Sequence, residues 1–386
     1  MNPNTNPVRK KANVKVIVIL VAAVLLCGGI AGLVVYLHGL QAQPAKTVDS
    51  DDALIQSEGG SSRQFPVSFS NNSICAVGAT EKRICVLTQD TLNFVSSNGK
   101  KDSPIILGYA EPTLRTAGKY GIVYDRLSGR YLMFGEKGTL VEDQSKAKSQ
   151  IMTAAIAENG NYAIACRGED SASLLTYYNK KGKVLFSWAC AKEHIVSIDI
   201  SENGKDLLCA ALSAENGEIL TKVYLLDIYE TETKWEYTLN AAAAMQCSFA
   251  VGNDVIVVCN DKRVILDTKK NELTATYVYP STLLSYASDA AGNTAIVTLK
   301  FGSFDTYEVT VLNNNNKTVY TYETDERIVN LCCKGKRIYL LTEKSLIAVN
   351  GSGKGNAIAE TNGVEIGLCL KDNKVYHYSV GYLYKS

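Results

Sequence analysis

The residue types that most often carry out catalysis are sparse in this sequence. None of its three histidines, His38, His194 and His377, has a serine, cysteine or aspartate placed as a nucleophilic catalytic set would require. Eleven cysteines are present, but there is no C-x-x-C and no cysteine and histidine cluster with the spacing of zinc ligands. We therefore predict no catalytic site, no cofactor and no bound metal.

Most of the cysteines lie inside short apolar segments such as ICVL, AIAC and VIVVC. A free cysteine behaves as a small apolar residue, and a chain of this length can bury a core without disulfides. We expect buried, reduced thiols at Cys75, Cys85, Cys166, Cys209, Cys247, Cys259 and Cys369.

Cys332 and Cys333 are adjacent at the end of the segment IVNLCC, just before a turn. Some quinoprotein dehydrogenases carry a vicinal disulfide against their cofactor, which is one interpretation of the pair. In a strand, however, successive side chains point to opposite faces of the sheet. The sequence therefore favours two separate thiols over a disulfide.

Charged residues give two further hypotheses. Arg115, Asp125 and Arg126 are close in sequence, and they would either line a binding face or form a structural set of ion pairs between two units of the fold. Several aspartates fall near strand ends in different units, where a metal-dependent enzyme would gather ligands, although aspartate is also an ordinary turn residue. These aspartates are Asp125, Asp199, Asp227, Asp267 and Asp289.

A repeated unit positions these residues and fills the sequence from residue 64 to 386. Short apolar runs alternate with turns such as Glu158-Asn159-Gly160 that are typical of β-hairpins. One unit covers 151–190 and the next covers 195–239, each with four strands. Further units begin, at spacings of roughly 36–49 residues, near Ser73, Pro112, Met245, Leu284, Ile328 and Glu365.

This repeat predicts an all-β fold, a β-propeller of about eight four-stranded blades. A β-sandwich is the competing fold, but a sandwich needs no fixed period. The eighth unit has only three strands, and the segment FPVSF at 65–69 is left over. Pairing FPVSF with the C-terminal strands would close the ring and remove an exposed sheet edge. Seven blades is the alternative if the first unit is miscounted.

The N-terminal region differs in character from the repeat. Residues 16–37 contain no charge, and 22 such residues are long enough to cross a bilayer as one transmembrane helix. A cleaved signal peptide and a lipoprotein signal at Cys27 are the alternatives. Basic residues at 9–15 place segment 1–15 in the cytoplasm, and the domain at 64–386 is expected outside, after a flexible linker at 38–63.

Two resemblances are carried by particular motifs. The segments 112–118 (PTLRTAG) and 122–126 (IVYDR), with the basic N-terminus and FPVSF, resemble the membrane-anchored propeller family of clostridial-type Gram-positive bacteria known as DUF5711. That resemblance implies fold and topology but no activity. Asp227 and Trp235 are similar to the docking motif of quinoprotein (PQQ-like) propellers, in which the tryptophan packs between blades. The WD40 signature is absent.

The net charge of +1, from 40 basic and 39 acidic residues, gives no attraction to nucleic acid. We expect a membrane-tethered, extracytoplasmic propeller that acts as a non-catalytic binding or scaffold module for a protein, peptide or cell-wall ligand. The alternative is an enzyme of the quinoprotein or metal-dependent kind.

Overall fold

The computed structural model describes residues 65–69, 73–144, 149–230, 232–250 and 252–386. Within these ranges every regular element is a β-strand, and we number the strands β1 to β32 along the chain. None of the described residues forms a helix long and apolar enough to cross a membrane. The predicted cytoplasmic segment 1–15, transmembrane helix 16–37 and linker 38–63 lie outside the described residues.

The strands form eight four-stranded antiparallel sheets, which confirms the predicted count of eight blades over seven within the described part of the chain. The innermost strands of sheets one to eight are β2 (Ile74–Ala79), β6 (Pro112–Ala117), β10 (Ile151–Ile156), β14 (His194–Ile200), β18 (Ala244–Phe249), β22 (Leu283–Ser288), β26 (Ile328–Lys334) and β30 (Glu365–Lys371). The second strands are β3 (Ile84–Thr88), β7 (Tyr120–Asp125), β11 (Tyr162–Cys166), β15 (Asp206–Glu215), β19 (Asp254–Cys259), β23 (Thr294–Leu299), β27 (Arg337–Thr342) and β31 (Lys374–Ser379).

The two outer positions complete each sheet. The third strands are β4 (Thr91–Val95), β8 (Arg130–Gly135), β12 (Ser173–Tyr178), β16 (Glu218–Asp227), β20 (Lys262–Asp267), β24 (Tyr307–Leu312), β28 (Ser345–Val349) and β32 (Tyr382–Lys385). The outermost strands of sheets one to seven are β5 (Ile105–Ile106), β9 (Gly138–Gln144), β13 (Val184–Cys190), β17 (Thr233–Asn240), β21 (Glu272–Val278), β25 (Thr318–Thr324) and β29 (Gly355–Glu360), and β1 (Val67–Ser68) is outermost in the eighth.

Local sequence explains why these segments form meanders. The second strands are buried over most of their length because both faces pack on neighbouring sheets, and β11, with the sequence YAIAC, is buried throughout. The turn before β11 needs a residue in the left-handed region, and Gly160 supplies it with φ of 88°. The amide of Gly160 then donates to the carbonyl of Ala157 at 2.9 Å, which fixes the hairpin.

The core of the propeller lies between neighbouring sheets. Between the third and fourth sheets, for example, Leu175 and Tyr177 pack against Leu207 and Cys209. In seven of the eight junctions between neighbouring sheets the innermost strands contact each other, so the innermost strands surround a central channel. The apolar cluster between the fifth and sixth sheets is the smallest in the described part of the chain, with Tyr279, Ile296 and Leu312 as its buried members.

The predicted closure of the ring is confirmed. Strand β1 pairs antiparallel with β32, with Val67 opposite Leu383. The amide of Phe69 also donates to the carbonyl of Gly381 at 2.7 Å. Val67 and Phe69 are buried in the cluster between the eighth and first sheets, so the first strand completes the eighth sheet, which the C-terminal segment leaves one strand short.

The propeller has two faces, which we name by the connections they carry. The crossover face carries the segments that lead from the outermost strand of one sheet to the innermost strand of the next. The hairpin face carries the turns that join each innermost strand to the second strand, and these turns contact each other, as between Glu81 and Gly118. Because strands alternate in direction, β1 begins at the hairpin face.

Candidate functional site at the crossover face

The structure does not bring the candidate residues Arg115, Asp125 and Arg126 together. Asp125 is buried and accepts hydrogen bonds from the Glu111 amide at 2.9 Å and the Ser128 hydroxyl at 2.8 Å. Burial alone would raise the pKa of Asp125, but these hydrogen bonds outweigh it and lower the pKa. Asp125 therefore holds the segment that crosses into the second sheet.

The two arginines lie elsewhere. Arg126 is exposed and forms an ion pair with Glu111 at 3.2 Å. Arg115 lies on β6 and is exposed. Burial raises the pKa of Tyr286, on the innermost strand of the sixth sheet, and the charge of Arg115 opposes that rise. Because β6 is the innermost strand of the second sheet, Arg115 lies on the wall of the central channel.

Trp235 lies between two blades. Its ring is buried among side chains of the fourth and fifth sheets, and its Nε1 donates to the Asn271 side chain at 2.8 Å in a turn of the fifth sheet. Asp227 accepts from the Tyr229 amide at 3.0 Å and lies 3.7 Å from the Lys234 ammonium. Sequence reasoning had not identified Asn271, which is 36 residues from the tryptophan.

The adjacent cysteines have separate environments. Cys333 is buried between the sixth and seventh sheets, and Cys332 packs in the cluster between the seventh and eighth. Both are free thiols on opposite faces of one strand. Among the described residues no three histidine, cysteine, aspartate or glutamate side chains are grouped as metal ligands.

Two expectations about exposure are wrong. Cys75 is exposed rather than buried, because a β-bulge between Ile74 and Ala76 turns it out of the sheet. Cys369 is only half-buried. Cys85, Cys166, Cys209, Cys247 and Cys259 are buried, as predicted.

The bulge that exposes Cys75 recurs and creates a surface that sequence reasoning missed. Every innermost strand except β6 has the same bulge near its start, at the third residue in β14 and at the second residue in the other six strands. We call these seven residues the bulge ring: Cys75, Met152, Val196, Met245, Leu284, Val329 and Ile366. Because each innermost strand starts at the crossover face, the bulge ring surrounds the mouth of the channel there.

In the fifth to eighth sheets the residues of the bulge ring are large, apolar and exposed. Met245, Leu284, Val329 and Ile366 are between 36% and 48% exposed. These large apolar side chains lie at one level of one face, and a concentration of exposed apolar side chains is typical of an interaction surface. An apolar second residue in successive repeat units was the sequence signal that could have predicted it.

A loop of the sixth sheet extends this apolar surface. Phe301 and Phe304 lie between β23 and β24 on the crossover face and are 86% and 93% exposed. Phe304 also lines a pocket of about 320 Å³ with Tyr307. The remaining lining residues of the pocket are charged, with four acidic and two basic side chains: Asp305, Asp325, Glu326, Arg327, Glu343 and Lys344.

The acidic character of this pocket has a structural basis. Arg327 is paired with Glu343 at 3.2 Å, and Glu326 accepts hydrogen bonds from the hydroxyls of Thr342 and Ser345. Asp325 accepts from Thr306 at 2.9 Å. The carboxylates that remain without a cationic partner in the described residues give the pocket an excess of negative charge.

The fold and this surface define an eight-bladed β-propeller whose crossover face carries exposed apolar side chains at the channel mouth and an acidic pocket beside Phe304. The chain belongs to the DUF5711 family, whose model, described as a family of unknown function, matches residues 67–380.

Solved structures show the same fold at low sequence identity. BamB from Moraxella catarrhalis has a TM-score of 0.53 and 12% identity, covering 83% of this chain and 100% of that one. The β-propeller domain of Cps50 (Swd1) from Myceliophteria thermophila has a TM-score of 0.51 and 10% identity, covering 73% and 98%. Among curated proteins, none matches the sequence.

Proposed function

We propose that this protein is a membrane-tethered, extracytoplasmic and non-catalytic binding module that holds a protein partner on its crossover face. The observation that carries the proposal is the concentration of exposed apolar side chains on that face, in the bulge ring and at Phe301 and Phe304. Exposed apolar patches of this kind mark protein interaction sites on soluble domains. A cell-wall polymer, being polar, would gain little from such a surface.

The charged residues near these apolar side chains indicate which side chains a partner would need. Asp305, Asp325 and Glu343 lie beside Phe304 at the pocket. A partner segment with apolar side chains for the channel mouth and a lysine or arginine for the pocket would match both features. Arg115, deeper in the channel, would face the end of such a segment.

The tether rests on the sequence. Residues 16–37 have the length and composition of a single membrane span, and basic residues precede them. Protease added to intact protoplasts should remove the propeller while a cytoplasmic control protein stays intact. Protection of the propeller under those conditions would overturn the orientation.

The binding surface is tested by site-specific photocrosslinking of the full chain in cells. A photoreactive residue at Leu284, on the crossover face, should give one discrete crosslinked protein, whereas the same residue at Lys317, on the hairpin face, should not. The double variant Met245→Asp/Leu284→Asp should abolish the crosslink, measured from a third position at Phe304. Crosslinking that is equal from both faces, or unaffected by the aspartates, would contradict the proposal.

The enzyme alternative has its own test. Purified protein is mixed with pyrroloquinoline quinone and Ca²⁺, and the quinone absorbance is followed after gel filtration. We expect the quinone to elute free. Stoichiometric quinone that elutes with the protein would contradict the non-catalytic binding module and indicate a quinoprotein.

A further inference from the structure

Exposed lysines occur around the whole circumference of the hairpin face. Each of the eight sheets places at least one exposed lysine on it. In sheet order these are Lys82, Lys119, Lys180, Lys205, Lys269, Lys317, Lys336 and Lys374. We call them the lysine ring.

Most of the lysine ring is not neutralised by neighbours. Lys119 has an acidic partner, Glu81, at 3.7 Å. The other seven form no ion pair within the described residues. Acidic residues also lie on this face, and they are most numerous in the fourth and fifth sheets; examples across the face are Glu81, Asp102, Glu158, Glu202, Glu230, Glu272 and Asp372. The first, second, third, seventh and eighth sheets present more lysines than acidic residues on this face.

The crossover face has the opposite character. Its connecting segments carry exposed carboxylates in most sheets, for example Asp90, Glu111, Asp170, Asp261 and Glu343. Exposed basic residues are fewer there; among the described residues they are Lys192, Lys300, Lys344, Arg126, Arg167 and Arg327. The propeller is thus electrically polarised along its axis, although its net charge is close to zero.

The position at which the chain enters the propeller indicates what the lysine ring binds. Strand β1 begins at the hairpin face, where the ammonium of Lys385 lies 5.5 Å from the ring of Phe65. Residues 38–64 connect Phe65 to the apolar segment 16–37. The flexible linker that the sequence predicts there would have an end-to-end distance of roughly 30 Å, which would keep the hairpin face close to any bilayer that holds the apolar segment.

We propose that the lysine ring docks the propeller flat on an anionic lipid bilayer, so that the apolar crossover face points away from the membrane. This inference rests on the proposed tether. Basic residues held near an anionic lipid surface are attracted to it over about one Debye length, which is roughly 10 Å at 0.1 M salt and 3 Å at 1 M. The tether confines the lysines to roughly 30 Å from the bilayer, so they repeatedly come within the range of this attraction, and the ring arrangement sets the orientation.

Lysine footprinting of the full chain in liposomes tests the orientation directly. The protein is reconstituted in phosphatidylcholine alone or with phosphatidylglycerol, and a brief pulse of membrane-impermeant sulfo-NHS acetate is read by peptide mass spectrometry. With anionic lipid, the modification of Lys119, Lys205 and Lys336 should slow several-fold. Lys192 and Lys344, on the crossover face, should react equally in both liposomes. Salt at 1 M should remove the protection.

Matched variants distinguish an effect of lysines on the hairpin face from an effect of the net charge of the protein. Lys205→Glu/Lys336→Glu should abolish the protection of Lys119 in anionic liposomes, whereas Lys192→Glu/Lys344→Glu, with the same change in net charge, should leave it intact. Equal effects of the two variants would overturn the proposal. Protection by soluble polyphosphate in neutral liposomes, without protection by anionic lipid, would identify a polyanion site and also overturn it.

Flotation distinguishes failure of docking from failure of the tether. A chain that floats with both kinds of liposome but shows no protected lysines is tethered and does not dock. A chain that floats with neither contradicts both the tether and the docking.

Discussion

The guanidinium of Arg263, in the fifth sheet, donates a 2.6 Å hydrogen bond to the backbone carbonyl of Gly292 in the sixth. It also donates to the carbonyl of Asn313 at 3.1 Å and to the side chain of Asn316. Arg263 is fully buried, and burial lowers its pKa to about 10. A cation held by sixth-sheet oxygens thus joins the two blades whose shared apolar cluster is smallest.

We expect Arg263→Met to weaken this junction. Methionine fills similar space but leaves buried carbonyl oxygens without donors, at about 1–3 kcal/mol each. Urea unfolding should show a large loss of free energy, and hydrogen exchange should rise first in β20 and β22. The same substitution at exposed Arg337 is the control and should change stability by less than about 0.5 kcal/mol. Similar effects at both positions would contradict the role of Arg263.

Ring closure is tested by comparing two phenylalanines. Phe69→Ala removes a side chain that is 7% exposed beside the closing strand pair, whereas Phe301→Ala removes one that is 86% exposed. Truncating a buried phenylalanine costs roughly 3–5 kcal/mol, a large share of a typical domain stability of about 5–15 kcal/mol. Thermal unfolding should therefore start much lower for Phe69→Ala only. Equal melting of the two variants would mean that the closing strand contributes little.

The cysteines should differ sharply in reactivity. Burial raises the pKa of Cys247 and of Cys259 to about 12, and both thiols are enclosed in the core. The pKa of Cys75 is also raised, by partial burial and by Asp90, but its side chain is accessible. Maleimide followed by mass mapping should modify Cys75 within the native protein and the two core thiols only in denaturant. Comparable rates at the three sites would argue against the core assignment.

The closing sheet should make the protein sensitive to acid. Burial lowers the pKa of His377, and the charge of Glu365 opposes that change. The folded state therefore favours the neutral imidazole, which stacks on Tyr384 with ring centres 5.0 Å apart. Above the unfolded pKa of about 6.5 neither state is protonated. As pH falls below it the unfolded chain binds the proton first, and stability declines.

The measurement is the free energy of unfolding against pH. One group contributes a slope of at most about 1.4 kcal/mol per pH unit. His377→Phe keeps an aromatic stack and should flatten the decline below about pH 6.5. His194→Phe, at an exposed site, should leave the profile unchanged. An unaltered acid limb in His377→Phe would exclude this histidine as its source.

Much of the fold could be predicted because a propeller is built from local hairpins. The predicted starts at Pro112, Ile151, Ile328 and Glu365 coincide with the first residues of innermost strands, and the others lie one residue away. Turns such as 158–160 encode their own geometry through asparagine and glycine. The role of FPVSF as the closing strand could be predicted by counting strands, because the eighth unit has only three and FPVSF belongs to no other unit.

The surface features were harder to predict because they depend on register and on distant contacts. A single inserted residue inverts which side chains face outward, and the bulge beside Cys75 is such an insertion. Arg263 has a charged side chain that composition would assign to the surface, yet its partners lie up to 53 residues away in the next sheet. The alternation of apolar and polar residues along one strand does not reveal either effect.

The pairing of β1 with β32 imposes an order on biosynthesis. Residues 65–69 leave the ribosome first among the strands of the ring, and their partner leaves it last. Until then, the first strand has no sheet to join, and the eighth and first blades have no shared core. A nascent chain would thus expose unpaired strand edges and apolar surface for nearly the whole of translation. Cellular factors that shield such edges would be needed up to the final codons of β32.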